Sequence, residues 1–301
     1  MIKKGILSAI GAYLLWGIFP MYWKLLKHVP ARQLIAHRVI WSVIILTLII
    51  LLTNRRKEFV EAIRQPKAIW TSVLTAVLIA INWLVYIWGV NAGFIVETSL
   101  GYYINPLVSV LLGVMFLRER LRKYQWLSIG IAALGVIYLT VIYGRLPWIS
   151  LSLAFSFGVY GYVKKTAPLN ALHGLSLETG ILFIPASLFL IFSEITGDGA
   201  FLHTGYDADL MMIGTGVATV VPLLLFSFAA RSIPLSTVGI LQYIAPTLQL
   251  LVGVLVFKEP FNQTQWIGFG LVWLALGIYT VEGIVQSRAA NGVKAVPAIE
   301  G

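Results

Sequence analysis

The sequence predicts an all-α integral membrane protein whose ten transmembrane helices form two inverted five-helix repeats. Three observations predict it. The chain is 59% hydrophobic and only 11% charged, with a mean hydropathy of +0.88, whereas a soluble domain is about half apolar and about a quarter charged. The apolar residues gather into ten runs split by short polar loops, each close to the ~20 residues that cross a bilayer as a helix. A polar phrase ending in Pro, ETSLGYYINP at 97–106, returns as LSTVGILQYIAP at 235–246.

The runs lie at 5–24, 32–53, 68–90, 96–117, 124–143, 147–163, 174–193, 209–230, 236–257 and 264–283. The first follows Met1–Lys4 without a small-residue cleavage site, so it reads as a membrane helix and not as a signal peptide. It carries Trp16, and the second carries the adjacent pair His37 and Arg38. The third holds Asn82 and Tyr86, four apart and therefore on one helix face. The fourth opens with Glu97 and continues through Tyr102, Tyr103, Asn105 and Pro106. The fifth begins after the RER turn with Gln125-Trp126, and the sixth contains Tyr160. Glu178 stands early in the seventh, which is followed by a loop with four acids and no Lys or Arg. The eighth holds Pro222, the ninth Gln242, Tyr243 and Pro246, and the tenth follows Gln265-Trp266. The tail at 286–301 is polar and rich in small residues, a composition that predicts disorder.

Orientation follows from the basic residues. With the N-terminus inside, 16 of the 22 Lys and Arg fall on inner segments and 5 on outer ones, and Arg38 lies within a span. The positive-inside rule then places both termini in the cytoplasm; a bacterial inner membrane is the expected location.

The repeat is in register over a long stretch. A shift of 140 lays Tyr103, Ile104 and Pro106 on Tyr243, Ile244 and Pro246, Glu119 on Glu259, and Gln125-Trp126 on Gln265-Trp266. From 103 to 134, 11 of 32 positions are identical. Apolar composition alone does not match Pro, Glu, Gln and Trp in register. The predicted units are 1–143 and 144–285. Five spans is an odd number, so the second unit enters the membrane from the opposite side. Inverted repeats of this kind mark secondary transporters, which bind solute near the midplane where the repeats meet.

Several classes are excluded or left without support. The chain has no Cys, so disulfides and thiolate metal sites are absent. The His at 28, 37, 173 and 203 make no metal-ligand spacing, and no phosphate loop or HExxH pattern is present. The sequence therefore predicts no metal, no cofactor and no enzyme. The net charge of +10 lies in loops between spans and argues for a bilayer, not for nucleic acid. Nothing in the sequence fixes an oligomeric state.

Polar groups inside lipid are expensive and mark functional candidates. Arg38 reads as a contact for an anionic solute group or an outer gate, against a structural salt bridge or snorkelling to the headgroups. Glu97 shares its depth and reads as a gate, a proton site or a carboxylate favoured by the helix dipole. Glu178 lies in the opposite leaflet and reads as a proton-coupling group or an inner helix cap. His37 is a weaker gate candidate and packs equally well as an interface residue. The deep aromatic and amide groups Trp16, Asn82, Tyr86, Tyr102, Tyr103, Asn105, Tyr160, Gln242 and Tyr243 suit a cavity for a small amphipathic solute. Tight helix packing is the competing reading. A channel or a non-transporting membrane sensor is the alternative to a carrier.

The sequence resembles the drug/metabolite transporter superfamily, specifically the RarD-like branch of the EamA family. The resemblance rests on LIAHRVIWS (34–42), INWLVYIWGVNAG (81–93), ETSLGYYINPLVSVLLG (97–113), ERL with QW (119–126) and PLSTVGILQYIAPTLQLLVGV with EPF (234–261). It implies ten transmembrane helices in two inverted halves, alternating access through a central cavity, and a small metabolite or drug-like solute.

Overall fold

The structure, a computed structural model, describes residues 2–92, 94–144, 147–258 and 263–293. Among these residues every regular element is a helix. In order they are α1 (Ile2–Leu25), α2 (Ala31–Leu52), α3 (Arg56–Ile63), α4 (Pro66–Asn91), α5 (Ile95–Leu117), α6 (Lys123–Tyr143), α7 (Trp148–Thr166), α8 (Ala171–Ile195), α9 (Tyr206–Ser232), α10 (Leu235–Gln242), α11 (Ile244–Leu251) and α12 (Gln263–Val293). A wide π turn, Val252–Val256, extends α11.

The helix starts follow local chemistry. Pro66 supplies a first-turn residue whose missing N–H is not needed there. Asn170 caps α8, its Oδ1 accepting from the His173 N–H at 2.8 Å. At α6 the Arg122 N–H donates to Gln125 Oε1 at 2.9 Å. The turns after α5 and after the π segment both pivot on a left-handed residue, Arg118 at φ 54° and Lys258 at φ 58°. These two lie 140 positions apart, the same offset as the sequence repeat.

Nine helical segments among the described residues are long and apolar enough to cross a membrane. The tenth expected span, α7, is 19 residues long but rich in Ser and Gly and ends in Lys164 and Lys165. It packs on α4, α5 and α9, so neighbouring helices take the place of lipid along much of its surface. The short helix α3 buries no residue and lies where the sequence predicts a loop. Helix α12 continues to Val293, past the expected start of a disordered tail at 286; residues 294–301 lie outside the described residues.

Large apolar side chains such as Leu52, Trp70, Ile184 and Ile195 are exposed on the outer surface of the bundle. Such a surface is stable in hydrocarbon and not in water. Inside, small residues set helix spacing. A Cβ at Gly239 would meet the Pro106 carbonyl at 2.7 Å, and one at Gly158 would meet Val108 at 2.7 Å. A Cβ at Gly130 or Gly270, which the 140-residue shift aligns, would meet nothing within 4 Å.

The packing partners form a regular set. Helix α5 packs on α7 as α11 packs on α1, α1 on α9 as α7 on α4, and α2 on α9 as α8 on α4. Three further pairs, α2 with α8, α5 with α10 and α6 with α12, join helices that the 140-residue offset relates. Exchanging the helices related by that offset maps this set onto itself. At its centre the Tyr243 hydroxyl donates to the Tyr103 carbonyl at 3.2 Å, joining two positions 140 residues apart.

Candidate functional site, a ring-lined cavity between the halves

A cavity of about 190 Å³ opens between α1, α2, α4, α5, α7, α9, α10 and α11. Of the residues expected in it, Trp16, Arg38, Asn82, Tyr86, Tyr102, Asn105 and Gln242 line it. Tyr102 and Gln242 are 140 apart, as are Asn105 and Ala245, so the repeated phrase faces the cavity from both halves.

Arg38 sits seven residues into α2, about 10 Å from the helix start at 1.5 Å per residue. Its Nε–H donates to Thr219 Oγ1 at 3.0 Å, and that hydroxyl spends its own proton on the Thr215 carbonyl at 2.8 Å. The guanidinium carbon lies 4.2 Å from the Trp83 ring centre and 5.4 Å from that of Trp23. Thr219 and the two indoles hold the group beside the cavity. Among the described residues no carboxylate lies within ion-pair distance of it. Glu97, the partner weighed from the sequence, has its side chain outside the described residues.

The amides are held or orphaned. Asn82 Nδ2 donates to the Leu153 carbonyl and to Ser156 Oγ, both at 3.0 Å. Asn105 Oδ1 and Gln242 Oε1 are buried without a hydrogen-bond partner among the described residues. The Tyr86 and Tyr102 rings meet edge to face at 5.9 Å.

Three expected lining residues stand outside the cavity. Tyr103 packs edge-on against Phe269 at 4.8 Å, with its side chain turned toward α12. Tyr243 spends its hydroxyl on the Tyr103 carbonyl. Tyr160 lies under the floor, stacked on Phe226 at 6.0 Å. The alternation of neighbours on a helix explains the first two: Tyr102 and Gln242 face the cavity, and the next residue along faces away. Below the cavity, Tyr13, Phe157, Tyr160 and Phe226 form a contiguous layer of rings.

Glu178 lies beneath that layer, buried, and takes three donors. Lys164 Nζ forms an ion pair with Oε1, Thr75 Oγ1 donates to Oε1 at 2.6 Å, and Tyr160 donates to Oε2 at 3.2 Å. The sequence singled out Glu178 but left Lys164 among loop charges. The missed signal is the short 167–170 turn, which sets the last turn of α7 near the early turns of α8, close enough for Lys164 and Glu178 to pair. At the same end Arg231 donates to the Ala167 carbonyl at 2.6 Å and Lys165 to the Ile233 carbonyl at 2.6 Å.

At the opposite end the segment between α8 and α9 is clasped to α2. Gln33 Nε2 donates to the Asp198 carbonyl at 2.6 Å, and its Oε1 accepts from the Ala200 N–H at 2.9 Å. His37 belongs to this clasp and not to the cavity: its ring lies 5.2 Å from Phe201.

Apolar helices of spanning length around a small aromatic cavity define a multi-pass membrane protein. The chain belongs to the EamA-like transporter family, which matches residues 3–141 and, separately, residues 147–281. It is a membrane transporter of the drug/metabolite superfamily. It is 42% identical over 306 residues to protein RarD of Streptomyces exfoliatus, covering 99% of this chain and 97% of that protein. It is 42% identical to the uncharacterized transporter YojE of Bacillus subtilis (96% and 97% covered) and 39% identical to protein RarD of Escherichia coli (96% and 98% covered). A solved crystal structure of a protein only 18% identical superposes with a TM-score of 0.71 over 93% of this chain and 98% of that one, a likeness of fold alone.

Proposed function

We propose that the protein is a secondary transporter that carries a small metabolite or drug-like solute across the cytoplasmic membrane of a bacterium by alternating access. One observation carries the reading: a polar, ring-lined cavity lies between the halves and is walled off from one end of the bundle by the aromatic layer and the Lys164–Glu178 pair. A channel needs a continuous path, and here the path is blocked at one end.

The halves are residues 1–143 and 144–285, inserted in opposite senses. The exchangeable packing set, the paired left-handed turns and the separate family match to each half support that arrangement. The N-terminus lies in the cytoplasm, so the end that bears Lys164, Arg231 and Glu119 faces inward and the Gln33 clasp faces outward. Trp16, Arg38, Asn82, Tyr86, Tyr102, Asn105 and Gln242 contact the solute. Tyr103, Tyr160 and Tyr243 hold the walls and floor. Glu178 belongs to the inner closure, His37 to the outer closure, and Glu97 opens α5 at the outer end.

The test is counterflow in proteoliposomes. A carrier gives saturable exchange that is accelerated by solute on the far side. Flux that rises linearly with concentration, with no such acceleration, would sink the carrier reading and favour a channel.

A further inference from the structure

We infer that the cavity is built for a small organic monoanion with an aromatic or strongly apolar body, docked by its carboxylate on Arg38. The inference rests on the proposed transport site and names its solute class.

Begin with charge. Among the described residues, Arg38 is the one side chain lining the cavity that carries a full charge. A cation so placed is stable when an anion or water completes its shell. A structural ion pair would supply that anion from the protein, and no described carboxylate does so. Snorkelling would carry the guanidinium to the headgroups. Instead its Nε is tied to Thr219, and the Trp83 and Trp23 rings lie 4.2 and 5.4 Å from its central carbon.

Geometry comes next. A guanidinium has five N–H groups in one plane. Nε–H is used on Thr219, and no described acceptor takes the remaining four. The four free N–H groups, on the two terminal nitrogens, offer a partner an edge in the plane of the fork. That edge matches the two oxygens of a carboxylate. A bare ammonium or a neutral ring gains nothing from it.

The walls select the rest of the solute. Trp16, Phe19, Trp83, Tyr86, Tyr102 and Phe157 surround the space with aromatic surface. One ring with a short carboxylate tail fits a cavity of about 190 Å³.

The experiment uses phenylacetate as the probe, with phenylacetamide as its neutral analogue and phenethylamine as its cationic one. Melting of the purified protein is followed while each is titrated; a ligand of the folded state raises the midpoint in a saturable way. Phenylacetate is expected to do so and the other two are not. In Arg38→Gln the half-saturating concentration rises at least tenfold. Thr219→Val, which keeps the charge but frees the fork, gives a smaller rise, and serves if Arg38→Gln does not fold. An equal shift from the amine or the amide, no shift from phenylacetate, or an undiminished phenylacetate shift in Arg38→Gln overturns the inference. The same three compounds are then run in counterflow. Saturable exchange of the amine or amide, with none of phenylacetate, leaves the carrier standing and removes the anion preference. A phenylacetate melting shift with no saturable exchange keeps the anion site and removes the carrier.

Discussion

Lys164 and Glu178 are both almost fully buried and, among the described residues, each is the other's ion-pair partner. Taking one partner away leaves a bare charge in a low dielectric, which costs roughly 3–5 kcal/mol, whereas replacing both with apolar residues of similar volume is near neutral. Lys164→Met or Glu178→Leu alone should therefore lower the unfolding midpoint sharply, and the double variant should recover most of the loss. Additive losses in the double variant would show that the two residues act separately. Glycines give a second contrast. Gly239→Ala forces a Cβ onto the Pro106 carbonyl, a rigid neighbour, and should destabilise by about 1–3 kcal/mol. Gly130→Ala meets open space and should be neutral or stabilising by up to about 1 kcal/mol, through helix propensity. In sequence, a packing glycine and a lipid-facing one look identical until the neighbouring helix is placed. The same limit explains Tyr102 and Tyr103: the pair was legible as deep and polar, but which of the two faced the cavity depended on the rotation of α5.

Elements carry the repeat differently from residues. Glu119 lies in the turn after α5, and its carboxylate accepts from the N–H groups of Leu235 and Ser236 at 2.6 and 2.9 Å and from the Ser236 hydroxyl at 2.7 Å. It thus caps the first turn of α10, in the other half, where the helix dipole favours a negative charge. Glu119→Ala should cost about 1–2 kcal/mol, as lost caps do. Glu119→Gln should cost less, because one acceptor oxygen survives; thermal unfolding of the pair of variants checks the order. The two copies are not equal as helices. Helix α5 runs unbroken through Pro106, whereas the matching segment divides at Tyr243, ahead of Pro246, and ends in the π turn. Helix breaks at Pro and π turns are common where helices bend in function. The spans themselves were legible because a bilayer demands length and apolarity, which composition records directly. Helix α7 was legible as a run although it is less apolar than the others. Helix α3 was not, because eight amphipathic residues in a basic loop carry too weak a pattern.

At the scale of the whole molecule, the cavity lies toward one end and the inner layer seals the other. The seal has two tiers: rings from Tyr13, Phe157, Tyr160 and Phe226, then the Lys164–Glu178 pair with Thr75 beneath them. Tyr160 belongs to both tiers, since it stacks on Phe226 and donates to Glu178. Under the proposed alternating access, opening that end breaks the link, so weakening Glu178 should shift the population toward a form open there. The chain contains no Cys, which makes the shift measurable with single introduced thiols. Ser227 lines the small space beside Lys164 and Glu178 and is fully buried, while Phe19 lines the main cavity. In inside-out vesicles, a membrane-impermeant maleimide should label Ser227→Cys slowly. Adding Glu178→Gln should raise that rate several-fold, as a state held at a few per cent becomes a major one. Labelling of Phe19→Cys from the outer face should fall in the same background, because the two ends of an alternating-access carrier cannot be open together. A rise at both sites would mean that Glu178→Gln merely loosens the bundle. No change at either would mean that the charged pair is structural filling and that the inner closure lies elsewhere.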